Sequence, residues 1–352
     1  MQSPGPLRLP SDTCSAVRQF NVVAVLRSGS AFALIDVEQL RPKPSDESVM
    51  KHLELGHSAH GFVYRAEWSK GKSGPAQPVA VKRYQLGGED APAAAISQLR
   101  QEAETTVALN HPNVVTVIGA VLDPRAPCLV MEIEPASLDY ILSVAFQTAP
   151  NGDSDLFSWP LRLHVLAGTA AGLLALHSAK PAITHGGIKP ANVLVDATCN
   201  ARVTDFGVPL LKALAEDRER KAQGKSVPTE DSAAADLSAM RLEVDVVGFG
   251  MLMWEVMTGQ QPYPDQPRGV AIGRLLKGDC PPLPSPLPQG CPASYGKLLL
   301  SCWIKPPGKR VDLKALHAEL KGFTLTHGEA MELQVHDLLT VLLSKATHSV
   351  TI

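Results

Sequence analysis

The stretch ITHGGIKPANVLVD at residues 183–196, followed by ARVTDFG at residues 201–207, decides how this sequence folds. Asn192 and Asp205 stand 13 residues apart across a predicted strand–turn–strand unit. Such a unit brings an amide oxygen and a carboxylate together, and Mg²⁺ is a hard cation that prefers oxygen ligands of this kind. The sequence therefore predicts a metal site at Asn192 and Asp205, although one Asp-Phe-Gly taken alone indicates no more than a turn.

Upstream, LGHSAHGFV at residues 55–63 lies between two strand-like runs. Its glycines, Gly56 and Gly61, allow backbone N–H groups to approach phosphate oxygens closely, because no Cβ intervenes. Only two of the three glycines of a G-x-G-x-x-G loop are present. Taken alone, the segment is explained equally well by an ordinary hairpin turn.

The run VAVK at residues 79–82 ends a predicted strand of small apolar residues with a lysine. A half-buried lysine needs a partner, and Glu102, on the predicted helix that follows, is the candidate. Such a pair would direct the ammonium of Lys82 at the α- and β-phosphates of a nucleotide. The alternative is a lysine at a strand end that keeps its charged head in water.

The order of these segments is more specific than any of them. A glycine loop, VAVK, a helix glutamate, H-x-x-x-K-x-x-N and DFG follow one another in an order that resembles the protein kinase superfamily. The likeness covers about residues 50–322, and the closing segments are similar to those of tyrosine-kinase-like members. It implies an α+β fold with two lobes, in which an antiparallel sheet and one helix precede a mainly helical lobe.

The same likeness divides the chain. We expect a kinase-like domain at residues 49–322, with a small lobe at about 49–133 and a large lobe at about 134–322. Residues 1–48 are predicted to form a tail that contains a β-hairpin around Ser28 and Gly29. Residues 323–352 are predicted to form a helical tail.

The resemblance also implies a nucleotide site that holds ATP and Mg²⁺. Lys82 would anchor the phosphates, Glu102 would hold Lys82, and the backbone of Glu132 and Ile133 would bind adenine. Met131 falls at the position that borders the adenine pocket, which is compatible with a core methionine on a buried strand. The expected nucleotide-binding residues are Leu55, Gly56, Gly61, Val63, Ala80, Lys82, Glu102, Met131, Glu132, Ile133 and Leu194, and the expected metal residues are Asn192 and Asp205.

The loop at residues 185–192, HGGIKPAN, departs from the family pattern H-R-D-L-K-x-x-N. Gly187 replaces the aspartate that accepts the proton of the substrate hydroxyl, and Gly186 replaces the arginine before it. A glycine has no side chain that could act as a base or orient a nucleophile. No A-P-E motif is present, and Glu230 in VPTE is its nearest equivalent, with Arg310 as the expected partner.

These departures predict a pseudokinase that binds ATP and Mg²⁺ and acts as a signalling scaffold or allosteric partner of an unidentified protein. The alternative is a slow protein Ser/Thr kinase, in which Lys189 contacts the γ-phosphate and water or a substrate carboxylate accepts the proton. A third possibility is an interaction module that binds no nucleotide; its Pro-rich loop at residues 281–288 contains P-x-x-P, a ligand motif of SH3-type grooves.

Composition limits the other functions. Lys plus Arg number 33 and Asp plus Glu number 35, which gives a net charge of −2 and no basic field for nucleic acid. The longest apolar run, residues 165–176, is too short to cross a bilayer, so we expect no membrane insertion. Six scattered cysteines without a CxxC pair indicate reduced thiols, and with them a cytoplasmic protein.

Overall fold

A computed structural model of the chain describes residues 33–43, 53–58, 61–70, 74–84, 93–149, 155–180, 182–206, 234–266, 268–305, 307–325, 338 and 340. The hairpin was expected over residues 20–37, and its turn at Ser28 and Gly29 lies outside the described residues, as does Glu230. Within its second run, Ala33 and Leu34 pair in parallel with Gly119 and Ala120. The predicted division of the chain at residues 48 and 322 stays a prediction.

The first part of the chain builds one sheet of seven strands. The five longer strands are β3 (Glu54–Ser58), β4 (Gly61–Ser69), β5 (Ala76–Tyr84), β6 (Val117–Val121) and β7 (Cys128–Met131). Two short strands precede them, β1 (Ala33–Leu34) and β2 (Leu40–Arg41). The order is β1-β6-β7-β5-β4-β2, with β3 also paired to β4, and every pair except β1–β6 is antiparallel.

Alternation along β5 gives this sheet two apolar faces, because successive side chains of a strand point to opposite sides. Val79 and Val81 are buried on one face with Tyr64 and Trp68. Ala80 is buried on the other face. That second face packs against helix α1 (Ala93–Leu109), which supplies Leu99 and Ala103.

The second part of the chain is mainly helical. It contains α2 (Leu138–Thr148), α3 (Trp159–His177), α4 (Ala234–Thr258), α5 (Arg268–Leu276), α6 (Tyr295–Ser301) and α7 (Leu313–Leu325). A small sheet of β8 (Ala136–Ser137), β9 (Val193–Val195) and β10 (Ala201–Val203) lies beside the helices in the order β10-β9-β8. This sheet positions the loop that precedes β9 and the residues that follow β10.

Helix α3 forms the centre of the large lobe. Its sequence is apolar on almost every side, as expected for a helix that is surrounded by protein. Among the described residues it is the one helix that is long and apolar enough to cross a membrane, and 67% of that span is buried inside the protein. Such burial is what a core helix of this length shows.

A sheet-rich part followed by a helical part confirms the predicted α+β class with a small and a large lobe. In the C-terminal tail, Leu338 is buried in the large-lobe core.

Candidate active site

The glycine segment lies on β3 and β4, which pair as far as Ser58 and Gly61. Gly61 has a φ of +150°, and a Cβ there would lie 1.9 Å from the backbone oxygen of Arg83. Glycine is therefore required at position 61 by the sheet itself. A Cβ on Gly56 would meet nothing within 4 Å, and Leu55 beside it is exposed, so the strand before the turn leaves open space. That space fits a ligand that approaches the backbone.

Five of the expected adenine-site residues meet in one apolar cluster below the sheet. Ala80 on β5 pairs with Met131 on β7, and both are buried. The cluster also contains Ile133, and Val63 and Leu194 pack against it from the two lobes. Apolar residues contributed by two lobes are a usual lining of cofactor pockets, and the use of this cluster for adenine stays a prediction.

The segment that follows β7 has one backbone group bound to the residue before β6. The backbone N–H of Glu132 donates to the Thr116 carbonyl at 3.0 Å. Of the two backbone groups of Glu132, its carbonyl is therefore the one that could bind adenine. The expected adenine contact through Ile133 stays a prediction.

Lys82 is buried at the end of β5, opposite Val63 on β4. Its ammonium donates to Oδ1 of Asp205 and lies 4.9 Å from the ring centroid of Tyr84. This joins the small lobe to the residue after β10. Glu102 lies on α1, but its side chain is outside the described part of the structure, so its contact with Lys82 stays a prediction.

The metal residues predicted from sequence lie together. Asn192 is buried at the end of a 3₁₀ turn (Pro190–Asn192), and its backbone oxygen accepts from the Thr204 N–H at 3.1 Å, one residue before Asp205. The Asn192 side chain donates from Nδ2 to the Gly187 carbonyl at 2.8 Å, which leaves Oδ1 as its acceptor atom. The remaining oxygens, Asn192 Oδ1 and Asp205 Oδ2, are of the kind that Mg²⁺ prefers, and metal binding by these two residues stays a prediction.

Asp205 has a φ of +65°, the left-handed conformation that side chains other than glycine rarely adopt. Residues held in this region cost free energy and cluster at ligand sites. Phe206, which follows, is buried, and its ring lies 6.3 Å from that of His185. Asp205 therefore adopts its left-handed conformation directly beside buried, packed side chains.

The loop at residues 185–187 is held from behind by Asp245 of α4, a residue that the sequence argument did not single out. Its carboxylate is buried and accepts from the backbone N–H groups of His185 at 2.8 Å and Gly186 at 2.7 Å. The same carboxylate accepts from Nε2 of His177 at 2.8 Å. Gly186 has a φ of +71°, so the loop turns sharply at this point.

His185 cannot replace the missing base. It is buried, and burial lowers the pKa of its imidazole below the ordinary value, so the ring is neutral near pH 7. Its Nδ1 accepts from the Gly187 N–H at 3.3 Å, so the single ring proton is on Nε2. A neutral, enclosed imidazole has no path by which to take a proton from a substrate.

Around Gly187 there is room for a side chain. A Cβ built there would have Nδ2 of Asn192 as its one neighbour within 4 Å, at 3.7 Å, and the φ of Gly187 lies outside the left-handed region. Among the described residues, Asp205 and Asp245 are acidic groups of this region, and both have partners: Asp205 binds Lys82, and Asp245 accepts from the backbone of His185. Lys189 is partly exposed two residues further on.

A second feature that no sequence motif indicates is a buried charge cluster around Arg202. Arg202 on β10 lies 3.0 Å from a carboxylate oxygen of Glu134, 3.5 Å from one of Asp196 and 3.7 Å from one of Glu132. Burial would raise the pKa of Asp196, but hydrogen bonds from Asn200 and Thr198 outweigh it and lower that pKa. Arg202 therefore ties the segment after β7 to the strand that leads to Asp205.

Arg310, whose partner was expected to be Glu230, binds Glu243 of α4 at 3.1 Å and the Ile304 carbonyl at 3.1 Å. Its contact with Glu243 could not be read from the sequence, because the two residues are 67 positions apart and neither belongs to a short motif.

Comparison with known proteins agrees with this geometry. Residues 49–320 match the family model described as protein tyrosine and serine/threonine kinase. Because the match covers most of the chain, the protein belongs to the protein kinase family.

Its relatives include MAP kinase kinase kinases. The chain is 31% identical over 280 residues to mitogen-activated protein kinase kinase kinase 10 of Mus musculus, covering 76% of this chain and 27% of the relative. It is 30% identical over 272 residues to a mitogen-activated protein kinase kinase kinase of Drosophila melanogaster, covering 72% and 22%. It is 29% identical over 257 residues to the serine/threonine-protein kinase drkD of Dictyostelium discoideum, covering 73% and 18%. The chain thus spans less than a third of the length of each relative.

Proposed function

We propose that this kinase domain binds ATP with Mg²⁺, is impaired in phosphoryl transfer, and acts as a scaffold or allosteric partner of another protein. The observation that carries the proposal is Gly187, which leaves the base position without a side chain inside a loop that is otherwise well held. Reduced thiols support a cytoplasmic location, since buried cysteines with a raised pKa, about 12 for Cys199 and Cys302, are unreactive packing groups.

Nucleotide binding is supported by the groups that converge on the cleft. Lys82 is a buried cation, Asp205 keeps a strained backbone, and Asn192 is oriented by the Gly187 carbonyl. The left-handed backbone of Asp205 costs free energy, and strain of this kind clusters at ligand sites. A buried lysine, a carboxylate and an amide that lie close together therefore favour a ligand that uses them. The apolar cluster around Ala80 and Met131 would line the site of the base.

When bound, ATP and Mg²⁺ supply the transferable phosphoryl group and the charge that screens it. The chain's own residues would bind and align them. Lys82 would hold the α- and β-phosphates, Asn192 and Asp205 would bind the metal, and the Glu132 carbonyl would accept from the base. Lys189 would contact the γ-phosphate.

The cost of the missing base can be bounded. Kinases turn over at roughly 1–100 s⁻¹, and a general base contributes about 10²–10⁴-fold. Loss of the base alone, with alignment retained, leaves on the order of 10⁻⁴ to 1 s⁻¹, because phosphoryl transfer depends mainly on positioning and electrostatics.

The second candidate is a slow protein Ser/Thr kinase, and the relatives favour it. Proteins similar to this chain over about three quarters of its length are named as serine/threonine or MAP kinase kinase kinases. In this case water or a carboxylate of the substrate would accept the hydroxyl proton, and Lys189 would stabilise the γ-phosphate.

Two measurements test these proposals. Thermal unfolding is followed with and without ATP and Mg²⁺ in the wild type, in Lys82→Met and in Asp205→Asn. We expect stabilisation of the wild type that is lost in Lys82→Met and no longer depends on Mg²⁺ in Asp205→Asn. A shift that persists in Lys82→Met contradicts the assigned site.

Transfer of labelled γ-phosphate to the chain itself and to a general protein acceptor separates the two candidates. Label on the wild type that disappears in Asp205→Asn would establish the slow kinase and overturn the impaired scaffold. Silence of a wild type that binds ATP supports the scaffold.

A further inference from the structure

Residues 33–41, called here the strap, run across the small lobe ahead of the segment that matches the kinase family. Strand β1 pairs in parallel with β6, placing Ala33 opposite Gly119. Strand β2 pairs with the far end of β4, placing Leu40 opposite Trp68. The strap therefore pairs with β6 near one edge of the sheet and with β4 near the other.

The strap covers one apolar face of the sheet. Ile35 is 5% exposed and Leu40 is fully buried, and both belong to the cluster formed by the face opposite α1. That face also contains Tyr64, Trp68, Val79, Val81, Val121 and Val130. Without the strap, the family segment would expose this contiguous apolar surface to water, which folded domains avoid.

The sheet is shaped to receive the strap. A Cβ on Gly119 would lie 2.1 Å from the backbone oxygen of Ala33 and 3.1 Å from Cδ1 of Ile35, so close approach of β1 requires glycine at position 119. The Ile35 N–H donates to the Ala120 carbonyl at 3.0 Å. These contacts indicate a built docking site for this segment.

The turn within the strap is held by hydrogen bonds between its own residues. The Glu38 N–H donates to Asp36 Oδ1 at 3.0 Å, and the Asp36 N–H donates to Gln39 Oε1 at 3.2 Å. These bonds fix the 3₁₀ turn (Val37–Gln39) between the two anchors, so that Ile35 and Leu40 point into the sheet together. Two linked anchors bind more firmly than either one alone.

The strap is also connected to the nucleotide cleft. Its partner strand β6 begins directly after Thr116, whose carbonyl holds the N–H of Glu132, and Val117 pairs with Met131. A change in the position of β6 therefore moves the segment that would receive adenine.

We propose that the strap docks as part of the domain on the sheet face opposite α1, and that this docking sets the affinity of the cleft for nucleotide through β6. The affinity part rests on the proposed binding of ATP. The docking part stands on the contacts of residues 33–41 alone.

The full chain offers a matched set of variants. Leu40→Ala removes a buried anchor, and Gly119→Ala forces β1 away while leaving the strap sequence intact. Leu34→Ala is the control, because Leu34 sits between Ala33 and Ile35 but is 58% exposed. All three are measured for melting temperature, for hydrogen exchange of the Ile35 amide, and for affinity toward ATP with Mg²⁺.

We expect Leu40→Ala to lower the melting temperature by about 5–10 °C. Gly119→Ala is expected to raise the exchange rate of the Ile35 amide. Both should weaken ATP binding by about fivefold or more, the lower end of usual coupling between sites. Leu34→Ala is expected to change none of the three quantities.

The other outcomes separate the two parts. Unchanged melting and exchange in Leu40→Ala and Gly119→Ala overturn the docking. Lower stability with unchanged ATP affinity overturns the coupling to the cleft. If the wild type binds no ATP, the proposed function and the coupling both fail, while melting and exchange still decide whether the strap is docked.

Discussion

Placing a carboxylate at position 187 is the most direct test of the proposed impairment in phosphoryl transfer. The change is Gly187→Asp alone. The structure favours the single substitution, because a Cβ at Gly187 meets only Asn192 Nδ2, at 3.7 Å. Restoring an arginine at Gly186 as well would force a side chain onto a φ of +71°, which costs about 1–2 kcal/mol.

The expected gain follows from the role of the carboxylate. A side chain at 187 can accept from the second N–H of Asn192 Nδ2, whose first N–H is bound by the Gly187 carbonyl. So oriented, it supplies a general base worth about 10²–10⁴-fold. This corresponds to about 2.7–5.5 kcal/mol of the activation barrier. Replacing glycine without strain also stabilises the fold by about 0.4–1 kcal/mol.

The assay is the initial rate of γ-phosphate transfer from labelled ATP at saturating Mg²⁺, beside ATP affinity for each variant. Gly187→Asn is the matched control, since it has the same shape and no basic carboxylate. If Gly187→Asp binds ATP as tightly as the wild type and transfers phosphate no faster, the prediction is wrong, because the absence of a base at position 187 is then not what limits transfer. An equal gain in Gly187→Asn would refute it as well.

Three further predictions concern the groups around the loop. Asp245→Asn lowers the free energy of unfolding by about 1.5–3 kcal/mol for each charged hydrogen bond lost, and Asp245→Glu, measured alongside by urea unfolding, shows whether the carboxylate alone suffices. Arg202→Met lowers it by about 3–5 kcal/mol, because it removes the cation that lies against the carboxylates of Glu134, Asp196 and Glu132; a stability equal to that of Arg202→Lys would contradict this. Burial lowers the pKa of His185 in the folded state below 6.5. Its contribution to stability is therefore present above pH 6.5 and is lost as the pH falls below that value, because the unfolded chain then takes up a proton that the folded chain does not. Between pH 5 and 8 the melting temperature should depend less on pH in His185→Gln than in the wild type. Equal pH dependence in the two proteins would contradict the lowered pKa of His185.

The fold was predictable because its signals are local and occur in one order. The alternation of Val79, Ala80 and Val81 marks a strand that is covered on both faces, and the structure confirms this burial. The strap was not predictable in the same way. Its two strands are two residues long each, and they pair with β6 and β4, which lie far along the chain.

The site was predictable where a motif carries it and not where the contact is distant. Asn192 and Asp205 come together because 13 residues of strand and turn bring them there. Asp245 and Arg202 act through backbone N–H groups and through residues up to 86 positions away, so no spacing reveals them. Buried charges on strands and helices are the signal that sequence offers, but it does not name their partners.

The two halves of the loop are supported independently, which is the structural basis of the proposed separation of binding from transfer. Asp245 holds the backbone of His185 and Gly186 without using any side chain at 186 or 187. Asn192 is oriented by the carbonyl of residue 187, which every amino acid possesses. Glycine at positions 186 and 187 is therefore compatible with both sets of contacts, and in the proposed function it removes the base and leaves the metal residues in place. A chain of this kind can retain nucleotide binding while transfer falls by the amount that a general base contributes.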